Sequence, residues 1–434
     1  MRKKIILAAA ALVLLLAGIA VAAVLRANDR PSGGLDTNLE GVSVSTASET
    51  APEEDETTAE TTTEEQSAEE KPEDEGPCWL TFGGNPQRTF ARTELRLGKP
   101  VRRTTWARGM KDLMEYPPSF CDGKLYVNLE RGKTVALDAK TGRIIWSRKA
   151  ANFTASTPAI AGPILVVSSH DGSVSGLARS NGKRLWRVQT AGKVESSPVV
   201  LDDKAYFAST DGRVFAVNVK TGAIRWAYNA GGRMNSSPSV YGNRLCVSTY
   251  TGAVFCLRRD NGQKLWSTYV KRDVLRYESF YASASTDGAR LYTTSRAGKV
   301  VAFSARTGRV VWTQKMGPLG YATPAIAYGR VYVGSYDGIM RAYRATDGAV
   351  MWRRFVGGRI HAPALIVGNL VLFSTLDGKT YALRASDGQQ VWRFNAGEYA
   401  VGIATNRHYY LSLNGLLLAI RGENSPKDEK AGSG

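Results

Sequence analysis

Between residues 110 and 421 the chain alternates Val, Ile, Leu, Tyr and Phe with polar or small residues in short runs, and Asp-Gly, Thr-Gly or Asn-Gly pairs break the runs. Alternation with period two, interrupted by such pairs, predicts antiparallel strands joined by tight turns. The stretch 194–231 shows one full unit: VESSPVV, DDK, AYFAST, DG, RVFAVNV, KTG, AIRWAYNAGG. That is four strands in meander order, here named A to D. The unit recurs, with Trp at 106, 146, 186, 226, 266, 312, 352 and 392, in steps of 40 apart from a single step of 46. Gly precedes the later seven Trp by four residues, at 142, 182, 222, 262, 308, 348 and 388, and Pro recurs near the start of strand A at 158, 198, 238, 324 and 363.

Four-stranded units at a fixed period of this length predict an all-β protein, an eight-bladed β-propeller of four-stranded antiparallel blades. Strand C appears eight times, from TVALDA to LLLAI at 416–420. Trp106 comes before any strand C, and the last unit, 401–421, has no Trp. Residues 101–109 are therefore expected to supply the missing strand D of the eighth blade, so that both ends of the chain close the ring and no open edge remains. Pro suits the innermost strand, which has one edge facing the channel. The Trp residues, on the outermost strand, are expected to wedge between neighbouring blades, each burying about 150–250 Å².

The flanks differ in kind. MRKK followed by 21 apolar or small residues at 5–25 is long enough to cross a bilayer, so residues 1–30 read as a single-pass anchor, with a cleaved signal ending at VAA (21–23) as the alternative. The positive flank would stay inside and put the rest outside the cytoplasm, on the cell membrane. Residues 31–76 carry fifteen Asp/Glu, one Lys and no aromatic residue. Such a segment is expected to be a disordered stalk, or to fold back electrostatically onto the rest of the chain. Residues 422–434 are expected to be a disordered tail. The net charge of +18 divides into +4 for residues 1–30, −14 for 31–76 and +28 for 77–434. The last figure points to an anionic partner: a cell-wall polymer, an anionic lipid surface or an acidic protein. No nucleic-acid recognition pattern accompanies it, and a monomer is expected.

The units resemble the pyrroloquinoline-quinone-type (PQQ-like) β-propeller repeats, on the pattern seen in ALDAKTGRIIW (136–146) and AVNVKTGAIRW (216–226). The segment CWLTFGGNPQRTFARTE (78–94) resembles the lead-in before such propellers. The resemblance spans about 78–421 and extends to quinoprotein dehydrogenases on one side and to outer-membrane assembly factors of the BamB type on the other. The first branch implies a quinone held between a Trp and a vicinal Cys-Cys disulfide, with calcium on Glu, Asn and Asp. The four Cys here, 78, 121, 246 and 256, include no adjacent pair. Membership of the second branch implies a non-catalytic scaffold; this chain lacks the lipid-bearing Cys after its apolar run.

Little else suggests chemistry. Cys246 and Cys256 lie symmetrically about a B–C turn, where opposed strand residues come within disulfide range; a pair of buried thiols is the alternative. His170, His361 and His408 fall in separate blades with no metal-ligand spacing. The Asp of the Asp-Gly pairs at 171, 211, 337 and 377 reads as a turn residue.

In a meander the D–A and B–C loops share one face. The residue three before the strand-A Pro should point into the channel mouth there: Glu115, Glu195, Asn235 and Tyr321, with Tyr281 in the blade that lacks Pro. Lys193, Arg233 and Arg359 lie in the preceding loops. The irregular step inserts six residues within STYVKRDVLRYESFYAS (267–283), which makes Lys271, Arg272, Arg276 and Tyr277 candidates for partner contact. The sequence therefore supports a membrane-anchored, non-catalytic propeller that binds an envelope protein or anionic polymer, with no cofactor and no metal. The alternative is a quinoprotein oxidoreductase using pyrroloquinoline quinone and calcium.

Overall fold

The structure, a computed structural model, describes residues 34–37, 39–46, 76–274, 276–397, 399, 402–413 and 415–426. Its sheets number eight and form the eight blades of a propeller. Strand A of blades 1 to 8 is Ser119–Cys121, Ala159–Ala161, Val199–Leu201, Ser239–Tyr241, Ser285–Thr286, Ala325–Ala327, Leu365–Val367 and Ile403–Ala404. Strand D of blades 1 to 7 is Ile144–Lys149, Arg184–Gln189, Ile224–Asn229, Lys264–Tyr269, Val310–Lys315, Val350–Phe355 and Gln390–Phe394.

As expected, the eighth blade takes its strand D from the other end of the chain. Pro100–Gly109 pairs antiparallel with Leu416–Gly422, with Trp106 opposite Ala419. The seam continues past residue 421. The Glu423 N–H donates to the Lys99 carbonyl at 2.9 Å and that of Asn424 to the Leu97 carbonyl at 3.0 Å. The predicted disordered tail thus begins later than its composition suggested, because backbone pairing, with Ser425 Oγ donating to the Arg407 carbonyl at 2.6 Å, orders residues 422–425.

The repeated motif can be read from these contacts. Each Trp stands opposite a small residue of strand C: Ala136 to Trp146, Gly176 to Trp186, Cys256 to Trp266, Ala302 to Trp312. A larger side chain there would collide with the indole. The indole N–H then reaches the C–D turn of the next blade. Trp106 donates to the Ala139 carbonyl at 2.9 Å, Trp186 to Val219 at 2.8 Å, Trp312 to Ala345 at 2.9 Å and Trp352 to Ala385 at 3.0 Å. The Gly of that turn lies flat on the ring. At Gly142 a Cβ would stand 2.5 Å from the Trp106 ring, and at Gly308 2.4 Å from that of Trp266. So the Gly and the Trp of one motif serve different interfaces, the Gly facing the previous blade and the Trp the next.

The channel is not open at both ends. Residues 79–92 cross it and bond to the strand-A edge, or the residues just before it, in every blade. Trp79 pairs with Phe120, and the Ile160, Val240, Thr286, Ile326 and Ile366 N–H groups donate to Leu80, Pro86, Gln87, Thr89 and Phe90 carbonyls. Thr81 Oγ1 donates to Pro198, and Trp79 Nε1 to Ala404. Inner edges that would otherwise be unpaired are thereby satisfied. At the centre Arg88, fully buried, donates to the carbonyls of Pro238 (2.6 Å), Phe82 (2.7 Å) and Ser197 (2.9 Å). Cys78–Cys121 ties the start of this plug to blade 1, and Cys246–Cys256 staples strands B and C of blade 4. Both Cys pairs are therefore disulfides.

Of the two forms expected for the acidic segment, its described residues between 34 and 46 take the second and lie back on the propeller. Gly34–Leu35 pairs with strand D of blade 3 and Ser43–Thr46 with strand D of blade 2. Arg213 holds Asp36 at 2.5 Å. An outer edge asks only for a backbone partner, so a segment unable to build a core can still be ordered there. Residues 47–75 and the expected anchor at 1–30 lie outside the described residues. Among the described residues no helix is long and apolar enough to cross a membrane.

The Trp–Gly contact has a direct test. Gly162 (φ 57°) and Gly308 (φ 73°) both adopt left-handed backbone, but nothing lies within 4 Å of a Cβ at Gly162. Gly162→Ala should cost about 1 kcal/mol for the backbone alone. Gly308→Ala should cost about 1–3 kcal/mol more as the alanine pushes the Trp266 ring aside. Urea unfolding of the two variants measures the difference, and equal costs would show that the contact contributes nothing.

Candidate functional site at the channel mouth

On the face opposite the plug, the loops before strand A converge on a cavity of about 150 Å³. Phe82 of the plug contributes to it, and the walls come from the D–A loops: Glu115, Tyr116, Asn235, Tyr281, Tyr321, His361 and Tyr399. The structure thus brings together Glu115, Asn235, Tyr281 and Tyr321 of the predicted set, with Glu195 behind Asn235, whose amide donates to the Glu195 carboxylate.

The equivalent position can be followed around all eight blades as the residue four before strand A. It holds Glu115, Ala155, Glu195, Asn235, Tyr281, Tyr321, His361 and Tyr399. Blades 1 to 4 supply two carboxylates and an amide; blades 5 to 8 supply four aromatic rings. The Pro marker does not reach His361 or Tyr399. Pro363 stands one residue earlier, relative to its strand, than Pro324 does, and blade 8 has no Pro to mark the register. Tyr116 follows a marked position and carries no marker of its own.

The aromatic half is continuous. Tyr250 meets Tyr281 edge-on at 5.9 Å, Tyr281 meets Tyr321 edge-on at 5.4 Å, Tyr321 meets His361 at 5.3 Å, and His361 meets Tyr399 edge-on at 6.0 Å. Tyr336 OH lies 2.7 Å from His361 Nδ1. The predicted cations form a rim outside this arc. Arg233 sits over the Tyr250 ring at 5.3 Å and 3.8 Å from Glu195, and Arg359 over Tyr336 at 5.6 Å. Lys193 is exposed at the same rim.

Burial dominates the electrostatics here. Partial burial, reinforced by the charges of Glu130 and Glu195, raises the Glu115 carboxyl above its ordinary value. Burial also raises Glu195, against the opposing pull of Arg233 and Lys193. It lowers His361, which has no countering carboxylate, and so favours a neutral imidazole.

Lys271, Arg272, Arg276 and Tyr277 are not among the residues lining the cavity. They form a small hairpin on the same face, between blades 4 and 5. Lys271 bridges to Tyr277, the Arg272 N–H donates to the Arg276 carbonyl at 2.8 Å, and Arg276 pairs with Asp273 at 2.8 Å. Tyr277 packs on Tyr269 at 5.3 Å, and Glu278, buried at the base, receives Lys299 at 2.7 Å. Val274 at the tip is 90% exposed. In the B–C turns of the same face, the Asp of the Asp-Gly pairs cap turns, as expected; Asp171 accepts from the Ser173 N–H and Asp337 from that of Ile339.

The quinone implied by the resemblance does not fit. All four Cys are committed to the two non-vicinal disulfides, no Trp lines the cavity among the described residues, and three of the four ring contacts among its lining residues are edge-on rather than parallel. Asn235 and Glu195, which could offer oxygens to a cation, are hydrogen-bonded to each other. Cys78, Cys121 and Asp122 lie close enough to hold a metal, but the sulfurs of that cluster are disulfide-bonded.

A desolvated carboxylate has a measurable consequence. Glu115 is easier to ionise unfolded than folded, so its contribution to stability falls as pH rises from its ordinary value near 4.5 through its raised folded value. Glu115→Gln should therefore be more stable than the parent at pH 7, with the gain vanishing by about pH 3, when the parent is protonated in both states. His361 acts in the opposite sense: its depressed value makes stability fall as pH drops below about 6.5. Thermal melts of Glu115→Gln and His361→Gln beside the parent across this range separate the effects.

Comparison with known proteins follows the same lines. No curated protein matches the chain. BamB from Moraxella catarrhalis superposes with a TM-score of 0.62 at 18% identity, covering 75% of this chain and 99% of that one. A europium-containing methanol dehydrogenase gives 0.65 at 15% identity, over 76% and 87%. The quinohemoprotein alcohol dehydrogenase of Comamonas testosteroni gives 0.68 at 13% identity, over 82% of both chains. At such identities these structures share the fold. The family model described as outer membrane protein assembly factor BamB matches residues 96–275 and 256–399, which is most of the propeller, and the chain belongs to that family.

Proposed function

We propose that this protein is a non-catalytic propeller scaffold, anchored in the cell membrane by its N-terminal segment, that presents its D–A face to an envelope protein or an anionic envelope polymer. The family match supports a scaffold. The observation that carries the reading is how the D–A face is built. The plug closes the far end of the channel, and the groups that would clasp a quinone are committed elsewhere. What this face offers is a rim of exposed cations around a blind cavity, with a hairpin beside it whose apolar tip is solvated. Tyr and Arg at such a rim are favoured in partner contact, and the charge of +28 on residues 77–434 favours an acidic surface.

Replacing Lys271, Arg272 and Arg276 together by Glu should weaken retention on anionic envelope material about tenfold at low salt, with the difference shrinking as salt is raised. Unchanged retention would remove the hairpin from the binding face. The quinoprotein alternative is tested separately. The full chain supplied with pyrroloquinoline quinone, calcium and a dye acceptor should show neither saturable quinone binding nor alcohol or sugar oxidation, and turnover would overturn the scaffold reading.

A further inference from the structure

The cavity has a chemical character opposite to that of the domain around it. The domain is strongly basic, yet the polar groups that meet at the channel mouth are carboxylates. Glu115 has no cation within ion-pair distance among the described residues, and the charged groups acting on it are Glu130 and Glu195. Tyr116 and Tyr281 complete its titratable surroundings. Arg88 lies buried below, with all three of its bonds made to plug and blade carbonyls. The rim cations are engaged away from Glu115, Arg233 on Glu195 and Tyr250, and Arg359 on Tyr336. Opposite stands the arc of Tyr281, Tyr321, His361 and Tyr399, with Phe82, Pro117, Ala282, Ala362 and Pro363 supplying apolar surface.

We propose that this cavity receives an alkylammonium group, with Glu115 as its counter-charge and the tyrosine arc as its aromatic wall. Each part of the site argues for that class. An anion would meet an uncompensated carboxylate. A positive head group is attracted by that carboxylate, and a tyrosine ring met on its face adds to the attraction. The apolar lining accommodates an alkyl chain and adds burial energy that a bare metal ion could not use. The neutral His361 adds no repelling charge. A volume of about 150 Å³ suits an amine carrying a short chain and is small for a tricyclic cofactor. The amine could belong to a small free molecule or to a lysine side chain of a partner; the chemistry recognised is the same. The proposal rests on the reading of the D–A face as a binding face and deepens it by naming what the centre of that face takes.

The test uses the full chain and calorimetric titration with n-butylammonium and with Nα-acetyl-lysine methylamide. Their neutral counterparts, n-butanol and the Nζ-acetylated lysine derivative, serve as comparisons. At least one amine should bind saturably, and each neutral compound should bind at least about tenfold more weakly than its charged counterpart. Which amine binds better identifies the source. Affinity should rise between pH 4 and pH 7 as Glu115 ionises. Glu115→Gln, a variant expected to be at least as stable as the parent at pH 7, should lose about tenfold in affinity and most of the pH dependence. Tyr321→Leu should lose about threefold or more. Equal binding of charged and neutral compounds, absence of saturable amine binding, a flat pH profile or an unchanged Glu115→Gln would each overturn the proposal. Reversal of Lys271, Arg272 and Arg276 should leave amine binding intact. Retention on envelope material that persists without any amine binding would therefore sink this inference and spare the scaffold reading.

Discussion

The ring depends on one contact made over and over: an indole N–H of one blade donating to a turn carbonyl of the next. A carbonyl oxygen has two lone pairs, and at four interfaces both are used. Ala139 accepts from Trp106 and Tyr410, Arg259 from Trp226 and Tyr206, Ala345 from Trp312 and Tyr292, and Ala385 from Trp352 and Tyr332. The turn must come close enough to receive both donors, and that approach is what the turn Gly permits. A single repeat therefore contains half of each of two interfaces. It has no complete partner until its neighbours are present, so the propeller is stable as a ring and not as a collection of blades.

The seam is where this rule gives way. Strand C of blade 8 runs out at Gly422, and no covalent turn leads from it into Pro100–Gly109. Trp392, in the blade before it, stacks on Phe394 at 5.8 Å. The pairing of Leu97 and Lys99 with Asn424 and Glu423 extends the seam beyond the last regular strand, and a Lys99–Glu423 ion pair at 3.4 Å lies across it. The exposed ion pair adds little; the added backbone bonds do more.

What could be read from the sequence follows from how local each signal is. Blade number, strand order, the Trp wedge and the closing role of residues 101–109 were legible, because the same physical problem is solved eight times and leaves a period. The plug was not. Residues 79–92 meet a different blade at nearly every step, so nothing in them repeats, and they are buried only once the ring exists. Arg88 looks like any surface arginine in sequence, yet it is wholly enclosed by carbonyl groups, and loss of water lowers its pKa to about 9. The acidic segment was legible only in its charge: folding back was one of its two expected forms, and Asp36 on Arg213 fits it, but the edge pairing of Gly34–Leu35 and Ser43–Thr46 leaves no mark in composition. At the channel mouth the Pro marker located Glu115, Glu195, Asn235 and Tyr321 and failed at His361, where the marker shifts by one residue. Strand register carries that information, and a single displaced residue hides it.

The plug and the mouth bear on each other. A propeller channel open at both ends would be a water-filled pore, and charges lining it would be screened. Here the inner edges of the blades are covered by residues 79–92, and Phe82 of that plug lines the cavity beside Tyr116 at 5.4 Å. Closing one end lowers the local polarisability around Glu115 and Glu195, which is why burial is the leading cause of their raised values. The same closure puts a buried cation, Arg88, beneath the floor and leaves exposed cations, Lys193, Arg233 and Arg359, at the rim. A carboxylate held between them without a partner of its own is costly to the fold. It is the kind of cost that a ligand of opposite charge can relieve, and a purely structural mouth would have no reason to keep it.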